Sequence, residues 1–282
     1  MALADRLADR LAVINAVTPS GSLTVVGTGI DVGGHLTPQA RVAFAEADEA
    51  LYLVADPIAV ALLEALNPQA RSLQGLYGHG ASRLDAYEGM VDEILTPVRN
   101  GKTVCAAFYG HPGIFVYPGH KAVLGARADG FRAWMLPGIS SLDCLFADLS
   151  IDPAETGCLV QHASDFLARR VHPDPSILLV LLQISVIGEP GAVEAPDWSG
   201  LTVLVEYLEE FYASEHVVIA YEASPFPVLE PTATHVPLAE LTNADLTAGM
   251  TLVVPPATAP PAPDPSIRAL LELRRAERLS ET

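Results

Sequence analysis

The chain has 282 residues, half of them apolar, with 34 acidic against 16 basic side chains and a net charge of -18. That length suits two domains better than one core, the apolar content excludes wholesale disorder, and the charge argues against nucleic acid and anionic membranes as partners. Three cysteines without C-x-x-C spacing and eight histidines without ligand spacing argue against a disulfide framework and a metal site, so no metal is expected and the cytoplasm is the expected compartment.

In chain order, "MALADRLADRLAVINAV" mixes acids and arginines into an apolar pattern, which predicts an amphipathic helix over 1–20 and not a signal peptide. "SLTVVGTGI" reads as a buried strand ending in a glycine turn. A helix follows, capped by Thr37 with Pro38 at its first position. "ALYLVAD" is a second strand, ending at Asp56-Pro57 before another helix. Ser82-x-x-Asp85 marks a helix start at Arg83, running to about Arg99 with Leu84, Tyr87, Val91, Ile94 and Val98 as its apolar stripe. "TVCAAFYG" is a third strand, "HPGIFVYPGH" a loop, "HKAVLGARADG" a helix and "FRAWMLPG" a fourth strand. Strands alternating with helices predict an α/β domain over 21–136 with a mainly parallel sheet.

The pattern restarts at Pro137-Gly138. "SLDCLFADLSI" reads as helix, "SILLVLLQI" as a long buried strand, "LTVLVEYLEEFY" as helix, and "HVVIAYEAS" and "MTLVVPP" as strands, giving a second α/β domain over 137–256. The longest apolar run, "ILLVLLQISVIG", is broken by Gln183 and Ser185 and is too short to cross a bilayer. Residues 257–282 combine the rest of the proline-rich "PPATAPPAPDPS" that starts at Pro255, an extended linker, with an amphipathic tail helix on which Ile267, Leu270, Leu271 and Arg274 share helical spacing.

Two glycine turns and one loop stand out. Gly27-x-Gly29 invites a dinucleotide-binding reading, but position 32 is Val32 and the first good helix cap is Thr37, so the fingerprint fails. A tight turn and a ligand contact remain equally open there. "AAFYGHPGIFVYPGH" runs from a buried strand into Gly110, with Ile114 and Phe115 where a loop is normally polar. Exposed backbone groups beside an apolar wall suit a flat heterocycle with a polar tail, and no phosphate-binding Lys follows. His111 reads first as a residue bonded within its own loop, with catalysis the second reading. "YGHGASRLDAY" (77–87) places Arg83 and Tyr87 four apart on one helix face, and an arginine beside a phenol favours the phenolate.

Together "VVGTGI…LTPQA", "FYGHPGIFV", "MLPGISSLDCLFADLSIDP" and "LLVLLQIS" resemble the tetrapyrrole methylase superfamily, and within it the borosin peptide backbone α-N-methyltransferases. The resemblance implies two αβα domains with S-adenosylmethionine bound in the cleft between them, a homodimer, and no metal. It implies a cofactor pocket of Tyr109, Gly110, His111, Ile114, Phe115, Ser140, Gln183, Tyr221 and Thr251. It also implies catalysis by Tyr77, Arg83 and Tyr87, with Tyr87 as base, Arg83 stabilising charge and Tyr77 donating to the substrate carbonyl. Gln74 stands where the family's loop carries an aromatic.

Fungal members of that family carry their peptide substrate beyond a clasp region at their carboxyl end. "RRAERLSET" does not read as an apolar core peptide, so a separate precursor peptide, methylated in trans, is expected. Two other readings stay open: a methyltransferase acting on a tetrapyrrole of the precorrin type, and a non-catalytic homologue that serves as a binding partner.

Overall fold

The computed structural model describes residues 20–77, 82–189 and 196–280. The helix expected over 1–20 lies outside them, as do 78–81 of the tyrosine-arginine stretch. Contacts divide the chain into two units: Met1–Ile151 with Gly188–Asp197 and Tyr221–Ala233, and Asp152–Ile187 with Trp198–Ala220 and Thr234–Thr282.

The first unit opens with β1 (Ser22–Gly27), α1 (Pro38–Ala45), β2 (Glu49–Leu53) and α2 (Pro57–Leu66). Thr37 caps α1 by accepting from the Ala40 amide, and Asp56 caps α2 by accepting from those of Ile58 and Ala59. Then come β3 (Arg71–Ser72), a 3-10 turn at Gln74–Leu76, α3 (Arg83–Arg99), β4 (Thr103–Phe108), α4 (Tyr117–Ala128), β5 (Arg132–Met135) and α5 (Ser141–Asp148). The sheet runs β3-β2-β4-β1-β5 and is parallel throughout.

Its central strands β1, β2 and β4 are apolar on both faces, because helices cover both. Leu23, Val25, Val104, Ala106 and Phe108 face the core formed with α3 and α4. The alternating residues Val26, Tyr52, Cys105 and Ala107 face the core formed with α1 and α2.

On α3 the buried stripe is Ala86, Met90, Ile94, Leu95 and Val98, while Leu84 is 52% exposed. The face is therefore rotated by about one position from the expected stripe. A run at 86, 90, 94 and 98 follows the four-residue ridge of a helix, and it leaves Tyr87 and Val91 half-buried at the core's edge.

The second unit holds β6 (Cys158–His162), α6 (Ala163–Ala168), β7 (Leu178–Leu182), α7 (Ser199–Leu208), β8 (Val217–Glu222), β9 (Thr232–Pro237), β10 (Thr251–Val254) and α8 (Pro265–Ser280). Tyr221 and Glu222 of β8, and the first two residues of β9, group with the first unit. Its sheet runs β6-β7-β10-β8-β9 and is mixed: β6 pairs parallel with β7, and β7 antiparallel with β10. Phe166 of α6 and Leu201, Leu204 and Leu208 of α7 join Leu179, Leu181, Leu252 and Val254 in one core.

The fold is thus mixed α/β with two sheets, as the sequence implied. The expected restart at 137 falls just ahead of α5, whereas contacts keep α5 with the first unit. A Cβ at Gly138 would lie 3.3 Å from the Gly110 carbonyl oxygen, so this segment is seated against the first sheet's loops. Among the described residues no helix is long and apolar enough to cross a membrane. The cysteines Cys105, Cys144 and Cys158 are free.

Candidate active site

The site-bearing loops leave the carboxyl edge of the first sheet, where open α/β folds present ligand-binding groups. β1 ends at Gly27 and β4 at Phe108, and the two turns that follow are bonded to each other. The Gly29 amide donates to the Gly110 carbonyl at 3.2 Å, and the Gly110 amide donates back at 3.1 Å. A side chain at Gly27 would overlap the Gly110 carbonyl, and Gly29 and Gly110 have φ of 74° and 71°, a region that favours glycine. At Gly27-x-Gly29, which the sequence left open between turn and contact, the structure shows a turn bonded to the second glycine loop.

That loop is held from within. His111 Nδ1 accepts from the Gly113 amide at 2.9 Å, and the Ile114 amide donates to the His111 carbonyl at 3.2 Å. The loop therefore uses His111 as a brace, the first of its two sequence readings. Phe115 takes a left-handed φ of 56° and is 47% exposed, and Tyr109 is 51% exposed. A non-glycine residue in that region is strained, and such strain concentrates at functional sites.

Ser140, 3% exposed, caps α5 in a reciprocal box with Asp143. Tyr221, 1% exposed, donates its hydroxyl to Asp148. Burial, and then that bond to Asp148, hold the Tyr221 phenol far above its ordinary value. In the second unit, Gln183 follows β7 with φ of 59° and accepts from His162 Nε2 at 2.8 Å. Thr251 begins β10 and is 5% exposed.

The Tyr77–Tyr87 stretch forms a cluster of its own. Ser82 caps α3 by accepting from the Asp85 amide at 3.1 Å, which sets Arg83 at the first helical position. The rings of Tyr77 and Tyr87 meet edge to face with centroids 6.2 Å apart. Tyr87 also stacks on Tyr117, at 5.8 Å and 21° between planes, and Lys121 Nζ lies 5.3 Å from the Tyr117 centroid. Tyr117 opens α4 two residues after Phe115, so it ties the cluster to the Gly110–Phe115 loop.

Burial, and then the neighbouring Tyr87, push the Tyr77 phenol far above its ordinary value, while Arg83 pulls the other way. The guanidinium thus acts on Tyr77 as well as on the helix start, and there burial outweighs it.

Three residues were missed from the sequence. Tyr117 lies in the quoted "FVYPGH" but is thirty positions from Tyr87, so spacing gave no sign of their stacking. Asp148 is found only through its bond to Tyr221. Asp31, in "GTGIDVGG", lines a shallow hollow with Thr28, Asp56, Tyr109 and Pro225. Its Oδ1 is buried with no hydrogen-bond partner among the described residues. Asp31 also borders an open hollow with His35, Asp143, Cys144, Asp148 and Glu230. Burial, then Asp148 and Asp143, push the Cys144 thiol up to about 11. Among the described residues no group of three or more His, Cys, Asp or Glu side chains gathers to hold a metal.

Residues 22–225 match the model of the Tetrapyrrole (Corrin/Porphyrin) Methylases. The chain belongs to that family. The chain is 40% identical over 230 residues to the methyltransferase/ribosomally synthesized cyclic peptide dendrothelin A precursor of Dendrothele bispora, covering 81% of this chain and 55% of that protein. The corresponding omphalotin A precursor of Omphalotus olearius gives the same identity and coverage. A type I borosin cyclic peptide precursor of Coprinopsis marcescibilis is 38% identical over 249 residues, 86% of this chain and 64% of that protein. The borosin resemblance therefore holds, and the chain spans about half the length of the first of these relatives. Among solved structures, a uroporphyrin-III-C-methyltransferase from Thermus thermophilus superposes with a TM-score of 0.60 at 20% identity, covering 84% of this chain and 93% of that one. That likeness shows the tetrapyrrole methylase fold.

Proposed function

We propose that this family member is an S-adenosylmethionine-dependent methyltransferase that methylates backbone amide nitrogens of a ribosomally made precursor peptide. The observation that carries the reading is the Tyr77–Tyr87 pair, tied through Tyr117 to the glycine loop. The relatives that support a peptide substrate are cyclic peptide precursors, 40% identical to this chain over 81% of it.

The residues suit the donor. A sulfonium and an ammonium are cations, and Asp31 offers a buried carboxylate oxygen without a partner among the described residues. Tyr109 and Phe115 offer half-exposed ring faces of the kind that attract cations. Gly110 carries no side chain to obstruct a ligand lying on its backbone. With Gly110, His111, Ile114, Ser140, Gln183, Tyr221 and Thr251 these residues would hold the donor. Bound there, it supplies an electrophilic methyl and leaves as S-adenosylhomocysteine.

The protein's own task is the amide. A peptide nitrogen is a poor nucleophile because its lone pair is delocalised into the carbonyl. It gains reactivity as the N–H proton leaves and charge moves to the carbonyl oxygen. Tyr87, acting in its ionised form, takes that proton and becomes the neutral phenol. Tyr77, held in its protonated form, donates to the oxygen as imidate character grows. Arg83 adds a fixed positive charge beside both. The peptide is supplied in trans to these residues, by a precursor bound by a homodimer of the chain in the cytoplasm.

The test is to incubate the protein with S-adenosylmethionine and candidate precursor peptides and to map added methyl groups by tandem mass spectrometry. Methyl groups on backbone nitrogens are expected. Methylation of side chains alone, or of a precorrin-type tetrapyrrole in preference to every peptide, would overturn the reading.

A further inference from the structure

The bond between His162 and Gln183 carries a consequence for the donor site, resting on the proposal that Gln183 contacts the donor. A backbone N–H only donates, and the Ser164 amide donates to His162 Nδ1 at 3.1 Å. Nδ1 therefore carries the lone pair and the ring proton sits on Nε2. Nε2 lies 2.8 Å from the Gln183 side-chain oxygen, so it donates there. The Gln183 amide is thereby oriented: its oxygen is taken by His162 and its NH₂ group is directed elsewhere. The backbone agrees, because Gln183 takes φ of 59° at the carboxyl end of β7, where its side chain is exposed.

We infer that His162 is a positioning residue that fixes Gln183 as a hydrogen-bond donor toward an acceptor atom of the bound S-adenosyl ligand. His162 ends β6 and caps α6, so one side chain joins a helix start, a strand end and the strained residue after the neighbouring strand. A histidine needed only as a helix cap would have no use for a glutamine on Nε2. Asn or Ser would cap as well.

The test separates capping from positioning. His162→Asn keeps a capping oxygen for the Ser164 amide but is too short to reach Gln183. Gln183→Glu keeps an acceptor for His162 Nε2 but lacks the NH₂ donor. Binding of S-adenosylhomocysteine is measured by calorimetry, with thermal unfolding as the check on folding. His162→Asn is expected to bind roughly five- to tenfold more weakly, the worth of one oriented hydrogen bond. The KM for S-adenosylmethionine should rise in step while kcat stays near its original value. Gln183→Glu is expected to lose at least as much.

In a Gln183→Leu background, His162→Asn should add no further loss. An equal loss in that background would make His162 a structural cap and overturn the inference, as would unchanged affinity in either single variant. Absence of binding by the unaltered protein would instead overturn the donor assignment.

Discussion

Tyr77 and Tyr87 touch, yet they are set up for different work. Burial keeps Tyr77 protonated, which suits a donor, and stacking on Tyr117 fixes the Tyr87 ring. Tyr87→Phe retains the stack and loses only the hydroxyl. Methylation should fall by about 10²–10⁴-fold, the usual worth of a positioned base, with unchanged thermal stability and S-adenosylhomocysteine binding. Tyr77→Phe should cost about 10²–10³-fold, as for loss of one donor to a developing oxyanion. Methyl incorporation measured by mass spectrometry decides both, and a fully active Tyr87→Phe would reduce that phenol to packing.

The same burial has a pH signature. Phenols in the unfolded chain ionise near 10.0, whereas Tyr77 and Tyr221 retain their protons well above that and Tyr212 is pushed up to about 12. Their folded values are raised, so the contribution is fully present below pH about 10 and is lost as pH climbs beyond it. Melting temperature should fall steeply from about pH 10 upward, alongside the rise of tyrosinate absorbance. Tyr77→Phe should soften the fall.

At the scale of elements, the site is a junction of two strand-to-helix turns, and Gly27 is where they touch. A methyl group there meets the Gly110 carbonyl and would force the turns apart. Gly27→Ala should destabilise by about 1–3 kcal/mol, typical of overpacking, and should depress donor binding too. Gly75→Ala, with nothing within 4 Å of the added Cβ, is the neutral control.

The strands and helices of the first sheet were legible because both faces of β1, β2 and β4 are buried and read as unbroken apolar runs. Thr37, Asp56 and Ser82 announced their helices by capping chemistry. β3 and β9 escaped because their residues are largely exposed. β6, neither buried nor alternating, gave no period to find. On α3 the expected stripe missed by about one position, because Ala86 and Met90 fill the buried ridge as well as larger side chains would. The tyrosine-arginine stretch was legible through its four-residue spacing and its resemblance. Its partner Tyr117, like the His162–Gln183 bond, joins distant segments and leaves no trace in spacing.

For the molecule as a whole, the sign of the charge and the place of the tail argue together. Residues 261–282 contain four arginines and four acids, so the whole net charge of -18 resides in residues 1–260. The helix α8 is exposed along its length, with Ile267 54% and Leu271 65% exposed, so it adds no buried area to the second unit's core. Ala257 and Thr258 are still anchored, both amides donating to the Pro175 carbonyl.

Ending the chain at residue 260 should therefore leave the melting temperature within about 2–4 °C of the original, the shift that 1 kcal/mol makes in a chain of this size. A larger drop would show that α8 packs on something that its exposure conceals, and gel filtration of both forms would reveal whether that is a second copy. Neither form should prefer an acidic peptide. The body's charge repels one, and screening weakens the repulsion as salt rises. The rate advantage of a basic over an acidic precursor variant should shrink several-fold between about 0.01 and 0.15 M salt. It should do so equally with and without the tail, because removing a segment of zero net charge leaves the field in place.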